Sequence, residues 1–568
     1  MSEALVPLIA PLMPHLVVAP VLVPLVAAAL LLLIGQERRE VLVAGSLVAT
    51  FATLAVAVLL LVWVDAQGAT PVVAVYLPAN WDVPFGIVLA TDRLSAMMLV
   101  VTGLVAMGAL VFAAARWQRA GVYFHPLFQI GLMGINGAYL TADLFNLFVF
   151  VEVMLTASYA LLLHGSGRAR VQAGLHYIAV NLVASALFLL GVAMIYGIAG
   201  TLGMADVAQK LAALPPHDRG LLYAGAALLG IALLAKAAIW PLNFWLVPAY
   251  VSAAAPVAAL FVLLTKVGFY AILRLWTLFL APQGDATARF GADVLVIGGL
   301  ATIVVASLAM VVSRNVRRLA ALATMVSSGT LVAVLGLGDA VAVGGALYYL
   351  VASSLAVAVV FLLADLVERS REKGTGATLD EGLAEPMPFA ADGRPPAPGV
   401  NLDDEEAALI GQPVPVALAF LGASFLACVA LLAGLPPLAG FVAKFAMLDT
   451  IIGSAAPAQV PLLGWAVAVV LVGSSFVALG VLARTGIRYF WAPQGRPPPR
   501  LAVIECLPIA ALLAILLAMT LAAGPALRYT TAAAEGLFDA SAYVQAIAGT
   551  RPVPSPTHGT RGRQEAPR

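Results

Sequence analysis

Apolar stretches of about 20 residues recur along nearly the whole chain, separated by short polar segments. One such stretch is long enough for an α-helix to cross the roughly 30 Å hydrocarbon core of a bilayer. A transmembrane β-barrel would instead need alternating segments of about ten residues. The pattern therefore predicts an all-α, polytopic membrane bundle of about 14 helices. These predicted helices cover residues 16–35, 41–64, 93–115, 125–142, 144–164, 171–199, 220–247, 253–280, 291–313, 318–337, 341–366, 414–455, 461–483 and 502–523.

Composition supports the same class. Hydrophobic residues make up 62% of the chain and charged residues only 10%, whereas soluble domains carry roughly 25% charged residues. The net charge of +1 gives no indication of a nucleic-acid partner. Cys428 and Cys506 are isolated in apolar stretches, so neither a disulfide framework nor a metal cluster is predicted. No Lys or Arg precedes Arg38, so we expect the first apolar stretch to remain as a helix.

The distribution of basic residues predicts the orientation in the membrane. With the N-terminus outside, the inner loops hold 17 Lys and Arg, whereas the outer loops between helices hold only Lys210, Arg219 and Arg289. Because basic loops stay on the cytoplasmic side, both termini are expected on the outer face. Residues 367–413 are predicted to be a flexible inner loop and residues 550–568 a disordered tail.

Two of the predicted helices contain helix-breaking residues at membrane depth. The helix at 220–247 contains Pro241, and a second one contains Pro436, Pro437 and Gly440. Proline removes a helical hydrogen bond, and irregular backbone inside a membrane is tolerated where it is buried in protein or lines a watery cavity. A pair of such breaks is typical of a transporter's ion site. The alternative is that these prolines merely kink helices of a large bundle.

The two broken helices are five helices apart and therefore run in opposite directions. This spacing predicts two inverted five-helix repeats, at residues 125–280 and 281–484. Residues 1–124 then form three N-terminal helices, and residues 485–568 form the last helix and a C-terminal tail.

Four ionisable residues lie near the middle of predicted helices: Glu152, Lys236, Lys266 and Lys444. Each costs on the order of 2.5–3.5 kcal/mol to insert, so each needs a partner or water. A lysine in a medium of low dielectric can release and rebind a proton near neutral pH, which an arginine cannot. We therefore expect a proton relay in which Glu152 controls the charge of Lys236. A static, neutralised ion pair is the alternative.

Other polar residues are weaker candidates. Asp143 is placed to cap the helix at 144–164 and is a candidate for ion access. Arg274 and Asp365 lie toward helix ends, where their side chains are expected to reach the membrane interface. No phosphate-binding loop of the Gly-Lys-Ser/Thr type is present, so neither ATP nor another cofactor is predicted.

Three stretches resemble a known family. They are HPLFQIGLMGINGAYLTADLFNLFVFVEVMLTASYALLLHG, AKAAIWPLNFWLVPAYVSAAAPVAALFVLLTKVGFYAILRL and AGLPPLAGFVAKF. They are similar to the D subunits of the Mrp-type multisubunit monovalent cation/proton antiporters, whose superfamily includes the antiporter-like subunits of respiratory complex I. The resemblance covers residues 20–490.

The resemblance implies a component of a complex in the bacterial cytoplasmic membrane that exchanges Na⁺ or K⁺ for protons together with other antiporter subunits. It also implies that Glu152, Lys236, Lys266 and Lys444 carry protons, and that the chain is part of a secondary transporter and not an enzyme. This sequence departs from the family at Ala352 and Val357, where relatives often carry a His and sometimes a Lys. Water and serines such as Ser353 and Ser354 would have to carry protons there, or the route differs.

Two other interpretations of the same residues stay open. A proton-pumping membrane subunit of a quinone-reducing or hydrogenase complex would show the same helices and lysines, because its redox cofactors sit on other chains. A purely structural membrane scaffold is the second alternative, and the energetic cost of midplane lysines argues against it.

Overall fold

The computed structural model describes residues 13–35, 37–66, 72–116, 123–165, 167–215, 217, 219–280, 290–372, 415–453, 460–491 and 501–553. In these residues the chain is a bundle of membrane helices with one two-stranded hairpin. The first part contains α1 (Met13–Leu16), α2 (Ala19–Leu33), α3 (Arg39–Ala66), β1 (Ala74–Tyr76), β2 (Leu89–Thr91), α4 (Arg93–Ala115), α5 (Phe124–Leu140), α6 (Leu144–Leu163), α7 (Arg168–Ala199), α8 (Met204–Ala212), α9 (Arg219–Lys236), α10 (Leu246–Ser252) and α11 (Ala255–Phe279).

The second part of the chain is helical in each of its described elements. It contains α12 (Ala292–Val312), α13 (Val316–Gly336), α14 (Ala340–Glu372), α15 (Val416–Ala433), α16 (Ala439–Gly453), α17 (Leu462–Gly486) with a π-helical turn at Ile487–Trp491, α18 (Val503–Leu521), α19 (Ala523–Phe538) and α20 (Ser541–Ala548).

The prediction of a polytopic membrane bundle is confirmed. Every predicted apolar stretch coincides with a helix or with two successive helices. Twelve helices in the described part of the chain are long and apolar enough to cross a membrane, while α2, with 15 residues, is shorter. The total of 14 crossings and the two inverted repeats stay predictions.

Two helices form the centre of the bundle. The membrane-spanning parts of α11 and α14 are completely buried by other helices, whereas only 28% of the membrane-spanning part of α18 is buried. A helix that is apolar on all sides belongs in such an interior position. Ionisable residues on α11, among them Lys266, are therefore held away from lipid by protein on every side.

The first predicted break separates α9 from α10. Helix α9 ends at Lys236, and residues 237–245 form turns before α10 begins. Pro241 lies in these turns, where Thr302 of α12 accepts a hydrogen bond from the Trp240 backbone N–H at 2.8 Å. Because Ala238 has a positive φ of 57°, the backbone here turns in a way that a helix cannot continue.

The second predicted break separates α15 from α16. Helix α15 is capped by Gly434, which has a φ of 75° and adopts the left-handed conformation that glycine favours. Pro436 and Pro437 follow, and the Ala439 backbone N–H donates to Thr520 of α18 at 3.0 Å. In both breaks a threonine of a neighbouring helix thus satisfies a freed backbone group.

One boundary of the predicted loops was wrong. The inner loop was expected to begin at residue 367, but α14 continues to Glu372, stabilised by an ion pair between Asp365 and Arg369 one turn apart and by one between Glu368 and Arg317 of α13. The rest of that loop, 373–413, lies outside the described residues. The predicted tail at 550–568 is described only as far as Val553.

A group of elements that the sequence did not predict covers one end of the bundle, and we call it the cap. It consists of the antiparallel β1–β2 hairpin, α8, α19 and α20. Tyr529 of α19 donates to the Arg93 backbone oxygen at 2.8 Å. Asn80 exchanges two hydrogen bonds with the Val553 backbone, at 2.7 and 2.9 Å. The residues after α18 are therefore folded onto the bundle as far as Val553.

Candidate ion-transport site

Glu152 and Lys236 come together as the sequence suggested, through a residue that the sequence did not single out. Lys236 Nζ lies 3.7 Å from Glu152 Oε1. Ser185 of α7 stands between them, because it accepts a hydrogen bond from Lys236 Nζ at 3.1 Å and donates one to Glu152 Oε1. The result is a short polar chain across α9, α7 and α6.

The local fold explains why Lys236 is available to Glu152. Lys236 is the last residue of α9, and the carbonyl oxygen of Ala235 beside it accepts from the Trp245 indole at 3.1 Å. A Cβ at Gly268 of α11 would lie only 2.6 Å from the Ala237 nitrogen, so a glycine is required where α11 passes the break. This close approach brings the break next to Lys266, two residues away on α11.

Lys266 begins a second polar chain inside the bundle. It is completely buried, and its Nζ donates to Ser327 of α13 at 2.8 Å. Ser327 in turn shares a hydrogen bond of 2.9 Å with Ser353 of α14. The hydroxyls of Ser328 and Ser354 are buried without a protein partner in the described residues. Buried hydroxyls of this kind are typical places for ordered water.

Lys444 lies at the second break with a different set of partners. Its Nζ donates to the Leu432 and Ala433 backbone oxygens at 3.0 and 3.4 Å and to Ser475 of α17 at 2.8 Å. The two carbonyls belong to the end of α15, where the helix dipole favours a positive charge. Among the described residues, no carboxylate lies within salt-bridge distance of Lys444 or of Lys266.

A cavity of about 270 Å³ lies beside Lys444, and Ser475 also lines it. Its rim includes Phe445 and Phe476, which are exposed on the side of the bundle. The lysine is thus buried within the protein but borders a space that opens laterally.

The remaining predicted site residues occupy structural positions. Asp143 caps α6, since its carboxylate accepts from the Asn146 backbone N–H at 2.7 Å. Gly440 packs so closely that a Cβ there would overlap the Leu431 carbonyl oxygen. Pro241, Pro436 and Pro437 lie in the two breaks. In the part of the chain that the structure describes, no three His, Cys, Asp or Glu side chains come together as metal ligands.

Arg274 and Asp365 were expected to reach the interface, and this expectation was wrong. Arg274 is 5% exposed and Asp365 is 2% exposed, because each forms an ion pair inside the protein. Arg274 pairs with Asp92 at 2.6 Å, and Asp365 pairs with Arg317 at 3.1 Å. The partners come from helices distant in sequence, so hydropathy alone could not indicate these pairs.

Glu505, a buried carboxylate near the start of α18, was not among the residues predicted from the sequence. It pairs with Arg116 at 3.2 Å and with Arg369 at 2.9 Å. These two ion pairs join the ends of α4, α14 and α18. A glutamate just inside an apolar stretch, directly after a basic segment, is the signal that could have indicated it.

Together, these features define a multi-pass membrane protein with buried ionisable side chains arranged around two helix breaks. Residues 141–391 match the family model described as NADH:quinone oxidoreductase/Mrp antiporter, TM. The chain is 46% identical to the D subunit of a probable K⁺/H⁺ antiporter of Rhizobium meliloti, over 92% of this chain and 95% of that protein. It is 31% identical to the D subunit of the Na⁺/H⁺ antiporter of Alkalihalophilus pseudofirmus, over 94% and 99% of the two chains.

Solved structures show the same fold. A chain in the Mrp complex from Dietzia sp. DQ12-45-1b aligns with a TM-score of 0.78 and 26% identity, covering 95% of this chain and 100% of that one. A chain of the membrane-bound sulfane sulfur reductase, an archaeal respiratory membrane complex, aligns with a TM-score of 0.77 at 22% identity, covering 94% and 99%. The chain belongs to the family of D subunits of monovalent cation/proton antiporters.

Proposed function

We propose that this chain is the proton-translocating component of a multisubunit antiporter that exchanges Na⁺ or K⁺ for protons. The observation that carries the proposal is the contact between Glu152, Ser185 and Lys236. A carboxylate next to a lysine stabilises the ammonium, and the lysine releases its proton when the carboxylate moves away. Ser185 bonds to both groups and supplies a hydroxyl between them.

The second polar chain extends this mechanism toward the second repeat. Lys266 passes a proton to Ser327 and Ser353, with water at the unpartnered hydroxyls of Ser328 and Ser354. This arrangement offers an answer to the departure at Ala352 and Val357, because serine hydroxyls and water stand in for the titratable side chains that the family often has there. Lys444 is the last group of the relay.

The proposal includes partner subunits, since the relatives are named as antiporter subunits. Two features of the chain support lateral contacts. Glu152 is 25% exposed, compared with 4% for Lys236, so one side of the carboxylate faces away from the bundle. The cavity at Lys444 opens to the side as well.

The proposed location is the bacterial cytoplasmic membrane with both termini outside. A cysteine introduced by Glu385→Cys should react with a membrane-impermeant thiol reagent in everted vesicles and stay unlabelled in intact cells. Ready labelling in intact cells would reverse the orientation.

A redox-driven proton pump is the alternative function for the same fold. The similarity to the archaeal respiratory complex concerns the fold alone, whereas the relatives over nearly the full chain are named as antiporter subunits. We therefore favour a component of a secondary transporter over a component of an enzyme.

The test is cation-induced dissipation of ΔpH in everted vesicles from cells that express all antiporter subunits, with and without this chain. We expect Na⁺ or K⁺ to dissipate ΔpH only when the chain is present. Equal dissipation without it would contradict the proposal, and proton movement that requires an electron donor would favour the redox alternative.

A further inference from the structure

Arg274 is a buried arginine whose surroundings the relay does not explain. It lies near the end of α11, and its Nη1 is 2.6 Å from Asp92 Oδ2. Two aromatic rings enclose the guanidinium, with centroids 5.5 Å away for Tyr270 and 4.8 Å away for Tyr543. Its Nη2 also donates to the Tyr270 hydroxyl at 3.3 Å. Three side chains thus hold the guanidinium in one position.

Arg274 lies on the same face of α11 as Lys266. Lys266, Tyr270 and Arg274 are four residues apart, and side chains at this spacing stand one above another on a helix. The Tyr270 hydroxyl donates to the Tyr139 backbone oxygen at 2.6 Å, so the position between the two charges is filled by a fixed ring. A proton leaving Lys266 along this face toward the cap would meet Tyr270 and then the guanidinium.

The order of the charged residues along this path decides whether a proton can pass from Lys266 to the cap. Asp92 precedes the first residue of α4 and is partly exposed at the cap, so Arg274 stands between it and Lys266. A guanidinium stays protonated at any working pH and cannot accept a proton. A fixed arginine on the route of a cation repels protons and other cations, as it does in selective membrane pores.

We propose that Arg274 closes the cap end of the Lys266 path to protons, and that Tyr543 of α20 in the cap holds it in the closing position. This inference rests on the proposed function, because a seal is needed only if Lys266 carries protons. It assigns a role to the cap. Tyr543 places the edge of the cap directly against the guanidinium, and a cation–π contact of this kind depends on the ring and not on the hydroxyl.

The test is the passive proton leak of liposomes that contain the purified antiporter complex. The liposomes are kept in choline buffer without Na⁺ or K⁺, with a lipophilic ion to compensate charge, and the internal pH is followed after an imposed pH step. We expect Tyr543→Leu to raise the leak by about two- to thirtyfold, the range that loss of a cation–π contact allows. Arg274→Gln should raise it more, and Tyr543→Phe should leave it unchanged.

Lys266→Ala separates this inference from the proposed function. Combined with Arg274→Gln it should restore the low leak, because the leak passes through Lys266. Alone, it should abolish antiport without any leak. Full antiport in Lys266→Ala would refute the relay itself. A proton leak as low as that of the wild type in both Arg274→Gln and Tyr543→Leu would refute only the proposal that Arg274 seals the path.

Assembly of each complex is checked by size-exclusion chromatography before the leak is measured. If Arg274→Gln fails to assemble, the pair Tyr543→Leu and Tyr543→Phe decides the outcome. Failure of Tyr543→Leu to assemble as well would show that the contact serves stability alone, and the proposal would be wrong.

Discussion

The two helix breaks contain the same type of residue in different electrostatic surroundings. At the first break, the Trp245 indole and the Ala238 backbone N–H both donate to the Ala235 carbonyl oxygen, and Lys236 contacts Ser185 and Glu152. At the second break, Lys444 itself occupies the freed carbonyls and contacts only neutral oxygens. Each break provides carbonyl groups at a helix end and a position for a lysine. The neighbouring side chains decide whether the lysine binds those carbonyls or binds another partner.

This difference has a functional consequence. In the proposed relay, the charge of Lys236 is switched by movement of the Glu152 carboxylate, which lies 3.7 Å from its Nζ. The charge of Lys444 is stabilised by backbone dipoles that are fixed once the helices are packed. We therefore expect the first break to control proton movement and the second to hold and release a proton more passively.

The largest effect is expected from Glu152→Ala. Removal of one partner of a buried ion pair leaves the other charge uncompensated, which can destabilise by about 3–5 kcal/mol. Antiport in everted vesicles should be lost, and blotting should show less assembled complex. Glu152→Asp, which keeps the charge, should retain a part of the activity. Full antiport in Glu152→Ala would contradict the expectation that the first break, unlike the second, depends on a carboxylate.

The next effect concerns the packing of the second break. In Gly440→Ala the new Cβ meets the Leu431 carbonyl, and overpacking of this kind costs about 1–3 kcal/mol. The melting temperature of the purified complex should fall. Gly230→Ala on α9 is the matched control, because nothing lies within 4 Å of a Cβ at that position. Equal melting temperatures of the two variants would show that the close approach at Gly440 is not needed.

An effect on the transport rate is expected from the serines that contact the two lysines. Ser185→Ala removes the hydroxyl between Glu152 and Lys236, and a hydrogen bond to a charged group contributes about 1.5–3 kcal/mol, so antiport should slow by at least tenfold. Ser475→Ala should have less effect, because two carbonyls still accept from Lys444. Initial rates of cation-induced ΔpH dissipation compare the two, and a greater loss in Ser475→Ala would reverse the assignment.

Much of the bundle could be predicted because the length of an apolar stretch is a local property of the sequence. The two breaks were equally visible, since proline and glycine have local effects on the backbone. The four midplane residues were found because a charge inside an apolar stretch is conspicuous. Each of these signals is contained in about 20 residues.

The contacts between helices could not be predicted in the same way. Ser185 is one of several serines in apolar helices, and only the packing of α7 against α9 makes it the bridge to Lys236. Arg274 looked like an interfacial residue until Asp92 and Tyr543 were placed beside it. The cap helices were missed because their Ala-rich sequence is neither apolar enough for a membrane helix nor marked by a strong break.

The proposed relay requires Lys236 to lose its charge during transport, and Lys236→Arg separates this requirement from a static ion pair. Guanidinium keeps the charge and the pairing with Glu152 but stays protonated at any working pH. Cation-induced ΔpH dissipation should therefore fail in Lys236→Arg almost as completely as in Lys236→Ala, while blotting shows assembled complex for the arginine variant. Normal assembly together with normal antiport in Lys236→Arg would contradict the relay and leave a static ion pair.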